Sequence, residues 1–122
     1  MRLAGAVVGV PRIAAQDLEV GGWAIPAGTL RFLSTASANR DESAYDEAGM
    51  FDITQTGFPH LTFSGGQHYC LAANLAGAEM EEALRLLPGR LRDIRLDGQP
   101  SWREGTGITG PTQLPLRYQP AL

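Results

Sequence analysis

The chain has 122 residues, 43% of them apolar, and its ten arginines, unaccompanied by lysine, face thirteen acids for a net charge of −3. That size suits one domain. The acidic balance excludes a nucleic-acid binder or a polybasic membrane surface, and one cysteine excludes a disulfide-stapled secreted fold. With no apolar run of about 18 residues there is no membrane span. Residues 1–10 carry one arginine and a short apolar run but no small-x-small cleavage site, so the expected location is the cytoplasm.

Taken in order, residues 7–34 read as β structure. Val7–Val10 is a short apolar run. Leu18-Glu19-Val20 and Trp23-Ala24-Ile25 alternate around the tight-turn signal Gly21-Gly22. Pro26-Ala27-Gly28 is a second turn, before Thr29–Leu33. Residues 35–48 predict one helical turn and then irregular chain. Residues 49–69 have no periodic segment, and a loop of that length is normally functional or disordered. Ala72, Ala76, Met80, Ala83 and Leu87 form one apolar stripe and predict a helix over 71–87, ended by Pro88-Gly89. Ile94–Leu96 and Leu114–Tyr118 read as short strands around a glycine-rich loop at 105–110. The fold class is therefore α+β.

Chemistry concentrates in Phe63-Ser64-Gly65-Gly66-Gln67-His68-Tyr69-Cys70-Leu71-Ala72. A helix starting at Leu71 places Cys70 in its N-cap region, where unpaired N–H groups favour a thiolate. Gly66 permits a turn with positive φ and leaves room for a flat group. Phe63 can shield the sulfur, and His68 can meet a carboxylate. A lone cysteine is most often a small core residue, and His60 and His68 read most simply as ordinary surface histidines. Against that, each residue before Cys70 has a separate physical job. Zinc is a poor alternative, because His60, His68 and Cys70 give three ligands at no standard spacing. A cysteine nucleophile also suits a helix start, but no third residue is placed to orient a histidine.

These residues carry a resemblance. Phe63, Gly66, His68, Cys70, Leu75 and Ala76 match the heme-binding loop and following helix of the cytochrome P450 family, most like its soluble bacterial members. The segments Val10–Ala14, Gly21-Gly22, Ile25–Thr29 and Ala38–Asp41 resemble the family's β-hairpin region and short helix. Phe51–Thr54 is similar to its meander, and Trp102-Arg103 and Leu114–Leu116 to its closing strands. The resemblance implies that residues 1–122 form a single partial domain, the C-terminal portion of the mainly α cytochrome P450 fold. It implies heme b (iron protoporphyrin IX), with Cys70 as axial iron ligand, Arg12 and His68 on the propionates, Phe63 beside the thiolate, and Gly66 and Ala76 against the cofactor. The implied activity is insertion of one oxygen atom from O2 into a small organic substrate, with electrons from a ferredoxin or flavodoxin type donor. Arg85, Arg90, Arg92 and Arg95 are the candidate docking surface for that donor. Val7–Val10 and Gly107–Thr109 are the segments expected to reach substrate.

Four departures qualify this. The Glu-x-x-Arg pair of the preceding helix is missing, and Glu82–Arg85 matches its letters on the wrong helix, as a surface i,i+3 pair. Met50 stands where the meander arginine belongs, so the triad those residues form is expected to have lost all three members. The distal half of the fold is absent. Ala72 replaces a glycine. The chain alone is thus expected to lack full activity, to expose its helical stripe, and to self-associate or need its N-terminal portion. The alternative is a catalytically inactive heme-binding or interaction remnant.

Overall fold

The computed structural model describes residues 1–103 and 107–121. It is an α+β structure of eight short strands, two helices and two 3₁₀ turns among the described residues. Its contacts gather into two units, Met1–Thr62 with Gly107 and Ile108, and the described residues from Phe63 onward except those two.

In the first unit, β1 (Val10–Ile13) pairs antiparallel with β4 (Leu30–Leu33), Val10 opposite Leu33 and Ile13 opposite Leu30. Between them β2 (Leu18–Val20) and β3 (Trp23–Ile25) form a hairpin. Gly21 and Gly22 have φ of +58° and +81°, as a primed two-residue turn requires. Gly28, at φ +78°, closes the next turn, in which the Thr29 N–H donates to the Pro26 carbonyl at 3.2 Å. Of the apolar run Val7–Val10 only Val10 joins a strand, while Val7 makes a single bridge to Ile108. At Gly9 the chain runs tightly against β4, where a Cβ would fall on the Phe32 ring and 2.7 Å from the Leu33 carbonyl.

Helix α1 (Thr35–Ala38) is the expected single turn. The Ser34 hydroxyl caps it by accepting the Ser37 N–H at 3.1 Å. The small core of this unit sits beneath it: Thr35, Asn39, Tyr45 and Ala48 are buried.

In the second unit, the 3₁₀ turn Gly66–His68 leads through Cys70 to α2 (Ala73–Arg90). Strand β5 (Leu91–Leu96) then pairs with β8 (Leu116–Pro120), with a register shift between Arg92 and Arg95 where Asp93 takes φ +52°. β6 (Ser101–Trp102) pairs with β7 (Pro111–Gln113). Residues 105 and 106 of the expected glycine-rich loop lie outside the described residues.

Both ends of α2 differ from the sequence expectation. It begins at Ala73, because Leu71 and Ala72 form a turn in which the Ala73 N–H donates to the Cys70 carbonyl at 3.2 Å. It also passes Pro88 and Gly89. So near the C-terminus proline removes one hydrogen bond, and Gly89 does not take the left-handed conformation that would stop the helix. The Leu91 N–H on the Leu87 carbonyl closes it instead. Only Ala73 of α2 is buried, whereas Leu75, Met80, Leu84 and Leu87 are exposed.

Candidate functional site

Cys70 ends a loop closed on itself. Its backbone N–H donates to the Phe63 carbonyl at 3.0 Å, and the Tyr69 N–H donates to the Gly66 carbonyl at 3.1 Å. Two left-handed residues make the reversal: Ser64 at φ +64° and Gly66 at φ +64°. A Cβ at Gly66 would meet nothing within 4 Å, so glycine serves the backbone conformation and leaves that side of the loop open. Cys70 is a free, half-buried thiol, flanked by exposed Tyr69 and fully exposed Leu71.

Phe63, Gly66, His68 and Cys70 are therefore brought into one loop, and Ala76 follows in the first turn of α2, its N–H on the Ala72 carbonyl at 2.9 Å. Arg12 stands in the first unit on β1, half-buried, its guanidinium donating to the Pro11 carbonyl at 2.8 Å. The helix start corrects the expected setting of Cys70. The N-cap of α2 is Ala72, two residues beyond the cysteine, and Ala72 makes no side-chain cap. The Tyr69 and Cys70 amides are likewise committed to loop carbonyls.

The donor set decides what this loop can hold. Among the described residues no group of three or more His, Cys, Asp or Glu side chains converges on a metal position. One soft thiolate suffices as a protein ligand only for a metal that brings its other donors with it, as an iron macrocycle does. An open glycine, a free half-buried cysteine and exposed apolar neighbours fit such a flat, largely apolar group.

The sequence reading missed Arg2. Its Nη1 donates to the Asn39 and Ala48 carbonyls, each at 2.6 Å, and its Nη2 to Gln55 Oε1 at 2.6 Å and the Met50 carbonyl at 3.4 Å. The guanidinium also lies 4.6 Å from the Tyr45 ring centroid. An arginine thus does anchor the segment around Met50, where loss of all three triad members was expected, and it comes from residues 1–10, where the sequence showed only one arginine before a short apolar run. Arg2 lines an open cleft of about 620 Å³ with Tyr45, Asp52, Gln55 and His60. Burial, aided by the positive chain terminus, holds the His60 imidazole below its ordinary pKa.

One further expectation has a clear outcome, and two other segments can be placed. Glu82 and Arg85 form an exposed bidentate pair at 2.6 and 2.9 Å, and this lowers the Glu82 carboxyl and raises the Arg85 guanidinium. They are the plain surface pair expected. The two segments expected near substrate meet each other: Val7 bridges Ile108, and the Val8 N–H donates to the Gly107 carbonyl at 2.9 Å.

Comparison with known proteins matches the family described as Cytochrome P450 over residues 1–88. Luteothin monooxygenase of Streptomyces thioluteus is 42% identical over 108 residues, 88% of this chain and 27% of the relative. Mycinamicin IV hydroxylase/epoxidase of Micromonospora griseorubida is 40% identical over 109 residues, 87% of this chain and 28% of the relative. Among solved structures, cytochrome P450 CYP109Q5 from Chondromyces apiculatus superposes with a TM-score of 0.92 at 36% identity, over 98% of this chain and 31% of that one. CYP108D1 from Novosphingobium aromaticivorans gives 0.90 at 35% identity, over 98% and 29%. The chain spans about a quarter of the length of the curated relatives it matches. Its α+β structure is the corresponding portion of that fold, and the chain belongs to the cytochrome P450 family.

Proposed function

We propose that this chain is the proximal heme-thiolate region of a monooxygenase, a single partial domain in which Cys70 is the axial ligand of heme b iron. The observation that carries the reading is the closed loop ending in one free, half-buried cysteine, with an open, left-handed Gly66 four residues before it. Within it, the hydrogen bond from the Cys70 amide to Phe63 fixes the backbone from which the sulfur projects. Phe63 packs beside the thiolate and keeps water from it. Gly66 and Ala76 leave room for a ring, and Arg12 and His68 hold its carboxylates as charge-assisted donors. When bound, thiolate-ligated heme activates O2, and one oxygen atom goes into a small organic substrate.

The chain covers about a quarter of its relatives, so oxygen activation and substrate binding are assigned to the assembled enzyme. Arg85, Arg90, Arg92 and Arg95, all exposed, suit an acidic electron donor of the ferredoxin or flavodoxin class. No helix among the described residues is long and apolar enough to cross a membrane, and the cytoplasm is the proposed site of action. The exposed apolar residues of α2 favour self-association when the chain stands alone. The same exposure favours the second reading, a heme-binding or interaction remnant without turnover. Substrate oxidation by the chain with a reductase would exclude that second reading.

The test is the spectrum of the chain reconstituted with iron protoporphyrin, reduced and exposed to carbon monoxide. The expected result is the red-shifted band of a thiolate ligand, lost in Cys70→Ala. A histidine-type band abolished by His60→Ala or His68→Ala would overturn the assignment.

A further inference from the structure

We propose that Asn39 is a positioning residue for the cysteine loop: its buried amide grips Leu61 and Thr62 and, through the 3₁₀ turn they share with Phe63, steadies the carbonyl that accepts the Cys70 amide. The importance of that position rests on the heme assignment above, whereas the grip itself does not. Asn39 is 2% exposed. It caps the C-terminus of α1, its N–H on the Thr35 carbonyl at 2.9 Å, and its own carbonyl accepts from Arg2 at 2.6 Å. With its main chain fixed on both sides, the side chain has one place to reach. Its Oδ1 accepts the Leu61 N–H at 2.7 Å, and its Nδ2 donates to the Thr62 hydroxyl at 3.0 Å.

Thr62 is fixed further. Its hydroxyl donates to the Met1 carbonyl at 3.3 Å, and a Cβ on Gly5 would stand 2.7 Å from its methyl group, so a glycine is what lets the threonine seat there. Leu61–Phe63 is one 3₁₀ turn. Holding its first two residues fixes the third, and the carbonyl of that third residue accepts the Cys70 amide. The loop beyond holds Ser64 in a left-handed conformation, which a residue other than glycine keeps only where the surroundings impose it. Asparagine is suited to the task because one short side chain presents both an acceptor and a donor. Aspartate keeps the acceptor for Leu61 and loses the donor to Thr62; alanine loses both.

Amide hydrogen exchange of the full chain without heme tests the grip. Asn39→Ala should raise exchange of the Leu61 and Cys70 amides about tenfold, while the Ala14 and Gly28 amides, bonded in the turn beside β1, stay unchanged. Asn39→Asp and Thr62→Val, each keeping one of the two bonds, should give smaller rises at both positions. If Asn39→Ala unfolds the chain, these two variants decide. A rise at Leu61 with none at Cys70 would overturn the proposal, since Asn39 would then hold only its neighbours. In the heme-loaded chain, Asn39→Ala should lower the thiolate share of the carbon monoxide complex several-fold, and an unchanged share would also overturn the proposal. A wild-type chain with no thiolate band would instead sink the heme assignment and leave exchange to judge Asn39.

Discussion

Removing the Arg2 guanidinium should be among the most damaging single changes in the first unit. In Arg2→Ala the Asn39 and Ala48 carbonyls, on residues 2% exposed while Arg2 covers them, lose their donor, and only water entering from the open cleft can take its place. An orphaned buried carbonyl costs about 1–3 kcal/mol. Loss of the bond to Gln55 and of the ring contact with Tyr45 adds about 1 kcal/mol. These terms share one donor and are not additive, so the expected loss is about 3–5 kcal/mol, a large part of the 5–15 kcal/mol typical of a domain. Arg2→Lys keeps the charge but not the fork. One ammonium cannot span two carbonyls and a side-chain amide, so about half the loss should remain. Urea unfolding followed by Trp23 fluorescence, in a Trp102→Phe background, gives the ranking wild type, Arg2→Lys, Arg2→Ala. Should Arg2→Ala not fold, Arg2→Lys carries the comparison. A loss under about 1 kcal/mol for Arg2→Ala, or lysine equal to wild type, would show that the clamp does not hold this unit.

Two glycines without positive φ should respond in opposite ways. Gly9→Ala drives a Cβ into Phe32 and the Leu33 carbonyl and should destabilise β1–β4 by about 1–3 kcal/mol in the same assay. Gly77→Ala, inside α2 with nothing within 4 Å of the new Cβ, should stabilise the helix by about 0.5–1 kcal/mol. A stabilising Gly9→Ala would refute the crowding argument. Besides the Glu82 carboxyl already described, acidification should act through His60, Asp41 and Asp52. His60 is depressed mainly by burial, so the folded chain prefers it neutral, and stability should fall as pH drops through the ordinary histidine range toward its lower folded value. Asp41 and Asp52 are depressed by side-chain and backbone hydrogen bonds from Ser43 and Thr54. Their contribution is present above the ordinary carboxylate range and is lost as pH falls through the lowered values. An NMR titration of the side chains, with Ser43→Ala returning Asp41 toward its ordinary value, checks the assignment.

Features encoded by neighbours in sequence were legible. Gly21-Gly22 and Pro26–Gly28 announce their turns, and the small polar stretch after Leu33 announces the single turn of α1, though not its Ser34 cap. The i,i+3 spacing of Glu82 and Arg85 announces a surface pair. The loop from Phe63 to Cys70 was legible for the same reason. Less so were the ends of α2. Leu71 and Ala72 have good helix propensity yet serve as a turn, and proline and glycine end a helix only if the backbone departs there. Strand β7 went unseen because Pro111 reads as a strand breaker, although proline is tolerated at the first position of an edge strand. Arg2 and Asn39 left no local trace at all. Their partners lie 22–53 residues away in sequence, apart from the caps of α1, and a buried asparagine in a polar stretch looks like any loop residue.

Each of the four sheets among the described residues is only two strands wide. No strand is an interior one, so each offers one row of N–H and C=O groups for pairing with whatever chain comes near. A hairpin of that width is marginal in water on its own. Its persistence depends on side-chain cover, and Trp23, Phe32, Leu96 and Trp102 are largely uncovered here. Edges left bare in this way accept any extended segment that reaches them, so the order of these four small sheets is set less by their own ladders than by whatever packs against their apolar faces.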